Sequence, residues 1–154
     1  MNIPSAAQTI GQQKSFDQML EKLLSHSVNE VKANEVMVKS NVIFLDAREK
    51  QEFEVSHIPN AQWIGYDTFE PQKVASLPKN KSIVVYCSVG YRSEKIAEKL
   101  LKMGFPKVAN LYGGIFNWKH AGGVVVDKKG QATEKIHTYN KEWGKWLFKG
   151  VKVY

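Results

Sequence analysis

The sequence predicts an α/β fold with a mostly parallel sheet. Continuous apolar runs of strand length, such as residues 42–45 and 83–86, alternate with segments whose apolar residues recur at helical spacing. These runs are apolar at every position rather than at every second one, which is typical of strands covered on both faces. Strands that are separated by helices pair in parallel through crossover connections.

The N-terminal part is predicted to be a polar tail followed by one amphipathic helix. Residues 1–14 are polar and aperiodic, which is typical of a flexible tail. Ser15 suits the N-cap of a helix because Gln18 occupies the capping-box position. Apolar residues then recur at helical spacing, at Phe16, Met19, Leu20, Leu23 and Leu24.

The middle of the chain carries the predicted sheet, and a C-terminal extension follows it. We divide the chain into a tail at 1–14, a domain at 15–126 and an extension at 127–154, in which residues 139–148 are predicted to be helical. Trp143 and Leu147 are expected to dock on the domain. Strands are expected at 27–32, 42–45, 62–64, 83–86 and 108–112, and helices at 33–39, 49–55, 67–77, 93–103 and directly after 113–114.

The composition restricts the chemistry of the chain. Its 154 residues suit one domain, and no apolar run approaches the roughly 18 residues of a membrane helix, so we expect no membrane partner. The single cysteine excludes an intramolecular disulfide and a cysteine-rich metal site, and we expect no metal or cofactor. The N-terminus lacks the basic start and apolar middle of a secretory signal. We therefore expect a cytoplasmic protein and leave open an exported form whose leader has been removed.

The net charge of +7 is spread along the chain. Dispersed lysines are typical of a solvated surface, and the weaker interpretation is that they steer small anionic substrates. No basic motif carries the signature of a nucleic-acid-binding fold, so we expect no nucleic-acid partner.

The segment around Cys87 is the strongest candidate for a reactive site. A cysteine that ends a buried strand, just before a helix, lies where unpaired N–H groups stabilise a thiolate, the reactive form. Arg92 keeps its charge and can clamp an anion with two hydrogen bonds. An inert buried thiol is the alternative interpretation. The substrate-binding loop is predicted to consist of Ser88, Val89, Gly90, Tyr91 and Arg92.

Asp46 and Arg48 follow a neighbouring predicted strand. The carboxyl ends of parallel strands meet at one edge of the sheet, so both residues are expected on the same edge as Cys87. We expect them to support the site, with the Asp46 carboxylate accepting hydrogen bonds from loop amides and Arg48 pairing with that carboxylate. Direct catalysis by either residue is the less favoured alternative.

Three separated pieces of the sequence resemble the rhodanese family of single-domain sulfurtransferases. LDAREKQEFEVSHIPNA at 45–61 resembles the N-terminal signature of the family, and YCSVGYRS at 86–93 resembles its active-site loop. NLYGGIFNW at 110–118 is similar to its segment with paired glycines and a tryptophan. The resemblance extends from about residue 27 to residue 121. It implies a rhodanese-like fold, in which a central, mostly parallel five-stranded sheet has helices on both faces.

The resemblance also implies that Cys87 carries sulfur as a persulfide. A small anionic donor such as thiosulfate, or an organic or protein persulfide partner, would supply the sulfur, and cyanide or a thiol would accept it. Thiosulfate-using members often carry a basic residue early in the loop, where this chain has Ser88 and Val89. An organic or protein persulfide is therefore as good a candidate donor as thiosulfate.

Two other functions stay open at this point. One is a non-turnover persulfide carrier or thiol-sensing module that docks on a partner through the aromatic, lysine-rich C-terminal extension. The other is hydrolysis of a phosphate or arsenate ester. Arg92 stands five positions after Cys87, whereas tyrosine phosphatases place their arginine six positions after the cysteine, so the shorter loop favours a persulfide.

Overall fold

The centre of the computed structural model, which describes residues 5–154, is a sheet of five parallel strands. The spatial order of the strands is β1-β5-β4-β2-β3, which leaves β4 in the middle. The predicted α/β fold is confirmed, and the sheet is parallel throughout rather than mostly parallel. The strands are β1 (Asn29–Val31), β2 (Val42–Asp46), β3 (Gln62–Trp63), β4 (Ser82–Tyr86) and β5 (Val108–Leu111).

Helices cover both faces of this sheet. Val84 and Tyr86 of β4 belong to one hydrophobic cluster, and Ile83 and Val85 belong to a second cluster on the opposite face. Burial on both faces explains why residues 83–86 of this strand are all apolar. The helices are α1 (Ala6–Leu23), α2 (Ala33–Val36), α3 (Lys50–Val55), α4 (Tyr91–Lys102), α5 (Gly114–His120) and α6 (Lys141–Gly144).

Helix α1 begins earlier than the sequence pattern predicted. Ser5 is its N-cap, and the Ser5 hydroxyl and the Gln8 side chain form a capping box, with the Gln8 N–H donating to Ser5 Oγ at 3.2 Å. The expectation of a flexible tail is therefore wrong for residues 5–14, and Ser15 does not cap the helix. The first turns are exposed, so capping and propensity extend the helix without the buried face that we used to find it. Residues 1–4 of the predicted tail lie outside the described residues.

Two other predicted helices are much shorter in the structure. The segment 67–77 contains only a 3₁₀ turn at Pro71–Val74, which begins at the proline. The segment 139–148 contains only α6, whose N-cap Asn140 accepts a hydrogen bond from the Trp143 N–H at 2.9 Å. Leu147 is buried and Trp143 packs against the core, which confirms the expected docking of both residues.

The residues after 126 return to the domain and share its core. Ile136 is fully buried in the cluster that also contains residues of α1 and α5. This part of the chain forms two small two-stranded sheets. In one, β6 (Val125–Val126) pairs antiparallel with β7 (Ala132–Thr133), and in the other, β8 (Lys135–His137) pairs parallel with β9 (Val151–Val153). Within residues 5–154, no helix has both the length and the hydropathy to cross a bilayer.

His120 fastens this C-terminal segment to α5. Its Nε2 accepts a hydrogen bond from the Phe148 N–H at 3.0 Å, and its ring stacks on the Phe148 ring with centroids 4.6 Å apart. Burial, followed by the positive charge of Lys149, lowers the pKa of His120 to about 4. The ring is therefore neutral at neutral pH, as the acceptor role of Nε2 requires.

Acidification is expected to weaken this anchor. An unfolded histidine titrates near pH 6.5, so between about pH 6.5 and about pH 4 the unfolded state binds more protons than the folded state. The free energy of unfolding should fall as the pH falls through this window, by about 3 kcal/mol at most. Urea unfolding at several pH values should show a shallower decline for His120→Gln, which keeps an acceptor that does not titrate. Equal slopes for the variant and the wild type would contradict this assignment.

Candidate active site

Cys87 lies directly after β4, at the start of the loop that leads into α4. Its side chain is almost fully buried, and its Sγ accepts a hydrogen bond from the Gly90 N–H at 3.1 Å. Gly90 has a φ of +122°, a conformation that side chains strongly disfavour, and this turn points its N–H back toward the sulfur. The structure thus brings Cys87 and the predicted loop together as the sequence indicated.

Helix α4 begins at Tyr91, two residues earlier than expected. The first N–H groups of a helix have no partner within the helix and carry partial positive charge, so the Cys87 sulfur lies where a negative charge is favoured. Tyr91 is partly exposed, and it lines a pocket of about 360 Å³ together with Cys87 and Arg92. Ser88 and Val89 complete the loop side of this pocket.

Helix α5 holds the other side of the loop. The Ile115 N–H donates to the Cys87 carbonyl oxygen at 2.9 Å, and the Phe116 N–H donates to the Ser88 carbonyl oxygen at 3.2 Å. Gly114 has a φ of +59°, and a methyl group on its Cα would collide with both carbonyl oxygens. The paired-glycine segment therefore matters because it lets one helix terminus approach the back of the reactive loop.

Ser93 of α4 and Asn110 of β5 lie behind the Cys87 sulfur. The Ser93 Oγ lies 3.4 Å from the Cys87 Sγ and 2.6 Å from Asn110 Oδ1, and Asn110 Nδ2 donates to the Gly90 carbonyl oxygen at 2.9 Å. Ser93 has one hydroxyl proton, which it can donate either to Asn110 or to a thiolate at Cys87. Asn110 therefore fixes both the glycine turn and the serine that faces the sulfur.

Arg92 is already paired with a carboxylate, which the sequence did not indicate. Its Nη1 and Nη2 donate to the two carboxylate oxygens of the fully buried Glu52 at 2.8 and 3.1 Å, and Nη2 also donates to Ser88 Oγ at 3.0 Å. Burial opposes ionisation of Glu52, but the hydrogen bonds and charge of Arg92 outweigh it and lower the pKa of that carboxyl below its usual value. The guanidinium thus joins the loop to α3.

Asp46 and Arg48 form a buried ion pair behind the site. Arg48 Nη2 donates to Asp46 Oδ2 at 2.7 Å and to the Ser56 carbonyl oxygen at 2.7 Å, and both side chains are fully buried. The expected pairing is present. The expected contact with loop amides is replaced by a bond from the backbone N–H of Arg48 itself to Asp46 Oδ1 at 2.9 Å. Neither residue lines the pocket.

Sequence reasoning missed several residues that build the site. Asn110 had a usable signal, because a single polar residue inside an otherwise apolar buried strand must find a partner. Glu52 had none, since it lies in a short polar helix among other charged residues. Tyr139 and Trp143 of the C-terminal segment also line the pocket, and nothing in their local sequence relates them to Cys87.

A family model described as a rhodanese-like domain matches residues 27–121 of the chain. A tRNA uridine(34) hydroxylase from Buchnera aphidicola subsp. Schizaphis graminum is 38% identical over 92 residues, covering 56% of this chain and 30% of that protein. The hydroxylase from Buchnera aphidicola subsp. Acyrthosiphon pisum (strain Tuc7) is 34% identical over 131 residues, covering 73% of this chain and 40% of that protein. The chain thus spans less than half the length of these curated relatives.

Solved structures share the fold. The BH2092 protein from Bacillus halodurans superposes with a TM-score of 0.61 at 25% identity, covering 77% of this chain and 88% of that one. A rhodanese-like domain protein from Staphylococcus aureus gives a TM-score of 0.52 at 30% identity, with coverages of 58% and 90%. A thiosulfate sulfurtransferase from Pseudomonas aeruginosa gives 0.60 at 24% identity, covering 78% of this chain and 23% of that one, which shows the fold alone.

Replacing Gly114 by alanine is expected to disturb the reactive loop. The methyl group would displace backbone carbonyls that cannot move independently of the loop, in addition to the strain of a positive φ. We expect Gly114→Ala to lower the free energy of unfolding by roughly 3 kcal/mol and to change the rate at which iodoacetamide alkylates Cys87.

Gly122→Ala is the matched control for this substitution. Gly122 has a φ of +88°, and the space around its Cα is open. This variant should cost about 1–2 kcal/mol from backbone strain and leave the alkylation rate unchanged. If both variants left that rate at the wild-type value, α5 would not position the loop.

Proposed function

The chain belongs to the rhodanese-like domain family, and from that membership we propose that it is a sulfurtransferase that moves a sulfane sulfur through Cys87. One observation carries the proposal: Cys87 lines a pocket, and its Sγ accepts a hydrogen bond from the Gly90 N–H at the N-terminus of α4. The same arrangement that favours a thiolate also favours a terminal persulfide sulfur, because both are anionic.

The transfer proceeds in two displacement steps. The Cys87 thiolate attacks the outer sulfur of the donor, the sulfur–sulfur or sulfonate–sulfur bond of the donor breaks, and the leaving group takes the electron pair. A thiophilic acceptor, a thiol or cyanide, then attacks the outer sulfur of the Cys87 persulfide and restores the thiolate. The two steps involve no net oxidation and require no cofactor.

The residues around Cys87 have separate roles in this scheme. Gly90 and the first N–H groups of α4 stabilise the anionic sulfur, and Ser93 is placed to donate its hydroxyl proton to that sulfur. Arg92 is a positioning residue, since it acts through Glu52 and Ser88 to hold the loop.

Hydrolysis of a phosphate ester is supported less well. The loop places Arg92 five positions after Cys87, and the guanidinium is held by the Glu52 carboxylate in a bidentate pair. An arginine that is already paired in this way contributes little net positive charge to a bound phosphate. The short loop and the paired arginine both favour sulfur over phosphorus chemistry.

A persulfide carrier without turnover of its own is the second candidate. Tyr139 and Tyr154 are about half exposed on the C-terminal segment, and Lys141 lies over the Tyr154 ring. An exposed aromatic and basic surface next to the pocket could dock a partner protein that donates or receives the sulfur.

Sulfur loading of Cys87 is tested by intact mass. Wild type and Cys87→Ser are incubated with thiosulfate, or with an organic persulfide, and then with cyanide. We expect the wild type alone to gain the mass of one sulfur atom and to lose it on addition of cyanide. Repeated turnover would favour the enzyme, and a single loading discharged only to a partner protein would favour the carrier.

Three results would count against sulfur transfer. Absence of loading with every donor would remove the proposal, and equal loading of Cys87→Ser would place the sulfur elsewhere. Formation of hydroxylated uridine in tRNA without any sulfur loading would replace it with the activity for which the curated relatives are named.

A further inference from the structure

Residues outside the family match contribute to the wall of the Cys87 pocket. Leu23 of α1 precedes residue 27, and Tyr139 and Trp143 follow residue 121. Together with Tyr66 and Tyr91 they surround the opening with one leucine and four aromatic side chains. The family core supplies the reactive sulfur, and the added segments contribute three further side chains to the pocket beside it.

The backbone of Tyr139 is held firmly beside this pocket. Its backbone has a φ of +73°, an unfavourable conformation for a residue with a side chain, and such strain persists only where the surroundings fix it. The Tyr139 N–H donates to His137 Nδ1 at 3.0 Å, and the adjacent Thr138 donates through its N–H to the Val153 carbonyl oxygen and through Oγ1 to the Asn140 carbonyl oxygen, both at 2.9 Å.

Tyr139 therefore lines the pocket from a well-defined backbone position. The centre of its ring lies 5.3 Å from the guanidinium carbon of Arg92, and the two groups form a cation–π contact.

The charges around the pocket do not suit a dianion. Among residues 5–154, Arg92 is the only basic residue that lines it, and Glu52 balances the charge of Arg92. Glu49 and Asp67 also line the pocket, and both are exposed to solvent. The opening is therefore negative although the chain as a whole carries a net charge of +7.

We propose that the sulfur donor is a small organic persulfide that carries a protonated amine, an aminothiol persulfide, rather than thiosulfate. The proposal rests on the sulfur transfer proposed above and names its substrate class. Carboxylates and aromatic faces together attract an ammonium group, and the aromatic walls cover the short carbon chain that links the amine to sulfur. A pocket of about 360 Å³ holds a molecule of this size.

The reaction of this donor is balanced. The Cys87 thiolate attacks the outer sulfur of R–S–SH, where R carries the ammonium group, and a new sulfur–sulfur bond forms. The bond between the two donor sulfurs breaks, and its electron pair leaves with the aminothiolate, R–S⁻. The proton stays on the outer sulfur or passes to water, and no oxidant or reductant is consumed.

The test compares two donors of similar length and opposite charge. Cysteamine persulfide carries an ammonium group, and 3-mercaptopropionate persulfide carries a carboxylate. Loading rates of Cys87 are followed by quenched-flow intact mass at low ionic strength, and each is divided by the rate at which the same donor loads free cysteine. This normalisation corrects the comparison for differences in the intrinsic reactivity of the donors. Thiosulfate serves as a third donor.

We expect the normalised rate to be about tenfold higher for the ammonium donor. The variant Glu49→Gln/Asp67→Asn should bring the ratio of the two rates close to one, whereas Glu70→Gln, which removes an exposed carboxylate outside the pocket, should preserve it. Tyr139→Leu should slow the ammonium donor more than the carboxylate donor. The ratio between donors is unaffected by a general loss of folded protein.

Three results would overturn the proposal while leaving sulfur transfer intact. The first is loading by both organic donors at equal normalised rates, and the second is faster loading by thiosulfate than by either. A preference for ammonium that survives in Glu49→Gln/Asp67→Asn would also overturn it, because the pocket carboxylates would not be its cause. Absence of loading by all three donors would overturn both this proposal and sulfur transfer.

Discussion

The ion pair between Glu52 and Arg92 is the contact on which the reactive loop depends. Glu52 is fully buried on α3, and Arg92 lies in the first turn of α4, so the pair joins two helices that follow neighbouring strands. Breaking a buried pair by removing one partner leaves an uncompensated charge and is strongly destabilising. Because Arg92 also holds Ser88, the pair fixes both ends of the loop around Cys87 and at the same time removes the free positive charge that an anionic substrate would need.

The part of the fold that follows from hydrophobic pattern could be predicted from the sequence. Residues 83–86 of β4 are all apolar because helices cover both faces of the strand, and that pattern was sufficient to place Cys87 at the edge where parallel strands end. The start of α1 could not be predicted from the same pattern. Its first turns bury nothing, and a capping box at Ser5 takes the place of an apolar stripe. The helix expected over 139–148 is a single turn in the structure. Trp146, Leu147 and Phe148 pack against the core from the irregular segment that follows this turn.

The residues of the candidate site also fall into a group that the sequence predicted and a group that it did not. Cys87 and the loop to Arg92 were predictable because they are contiguous and lie between a strand and a helix. The partners of that loop come from distant parts of the chain, and their roles exist only in three dimensions. Glu52 belongs to a short polar helix, and Tyr139 belongs to a turn after β8, so neither has a local pattern that indicates a place beside a thiol. The family match thus contains Cys87 and its loop, and the segments on either side of it add Leu23, Tyr139 and Trp143 to the pocket lining.

The most direct measurement is a series of ¹H–¹⁵N correlation spectra of the protein before sulfur loading, after loading and after discharge with cyanide. Sulfur transfer through Cys87 predicts that the amides of the loop and of the first turn of α4, above all Gly90, shift on loading and return to their starting positions on discharge. The amides of β1, at the edge of the sheet, should stay in place. Loading that leaves the Gly90 resonance unmoved, or that shifts residues remote from the loop instead, would contradict sulfur transfer at this site.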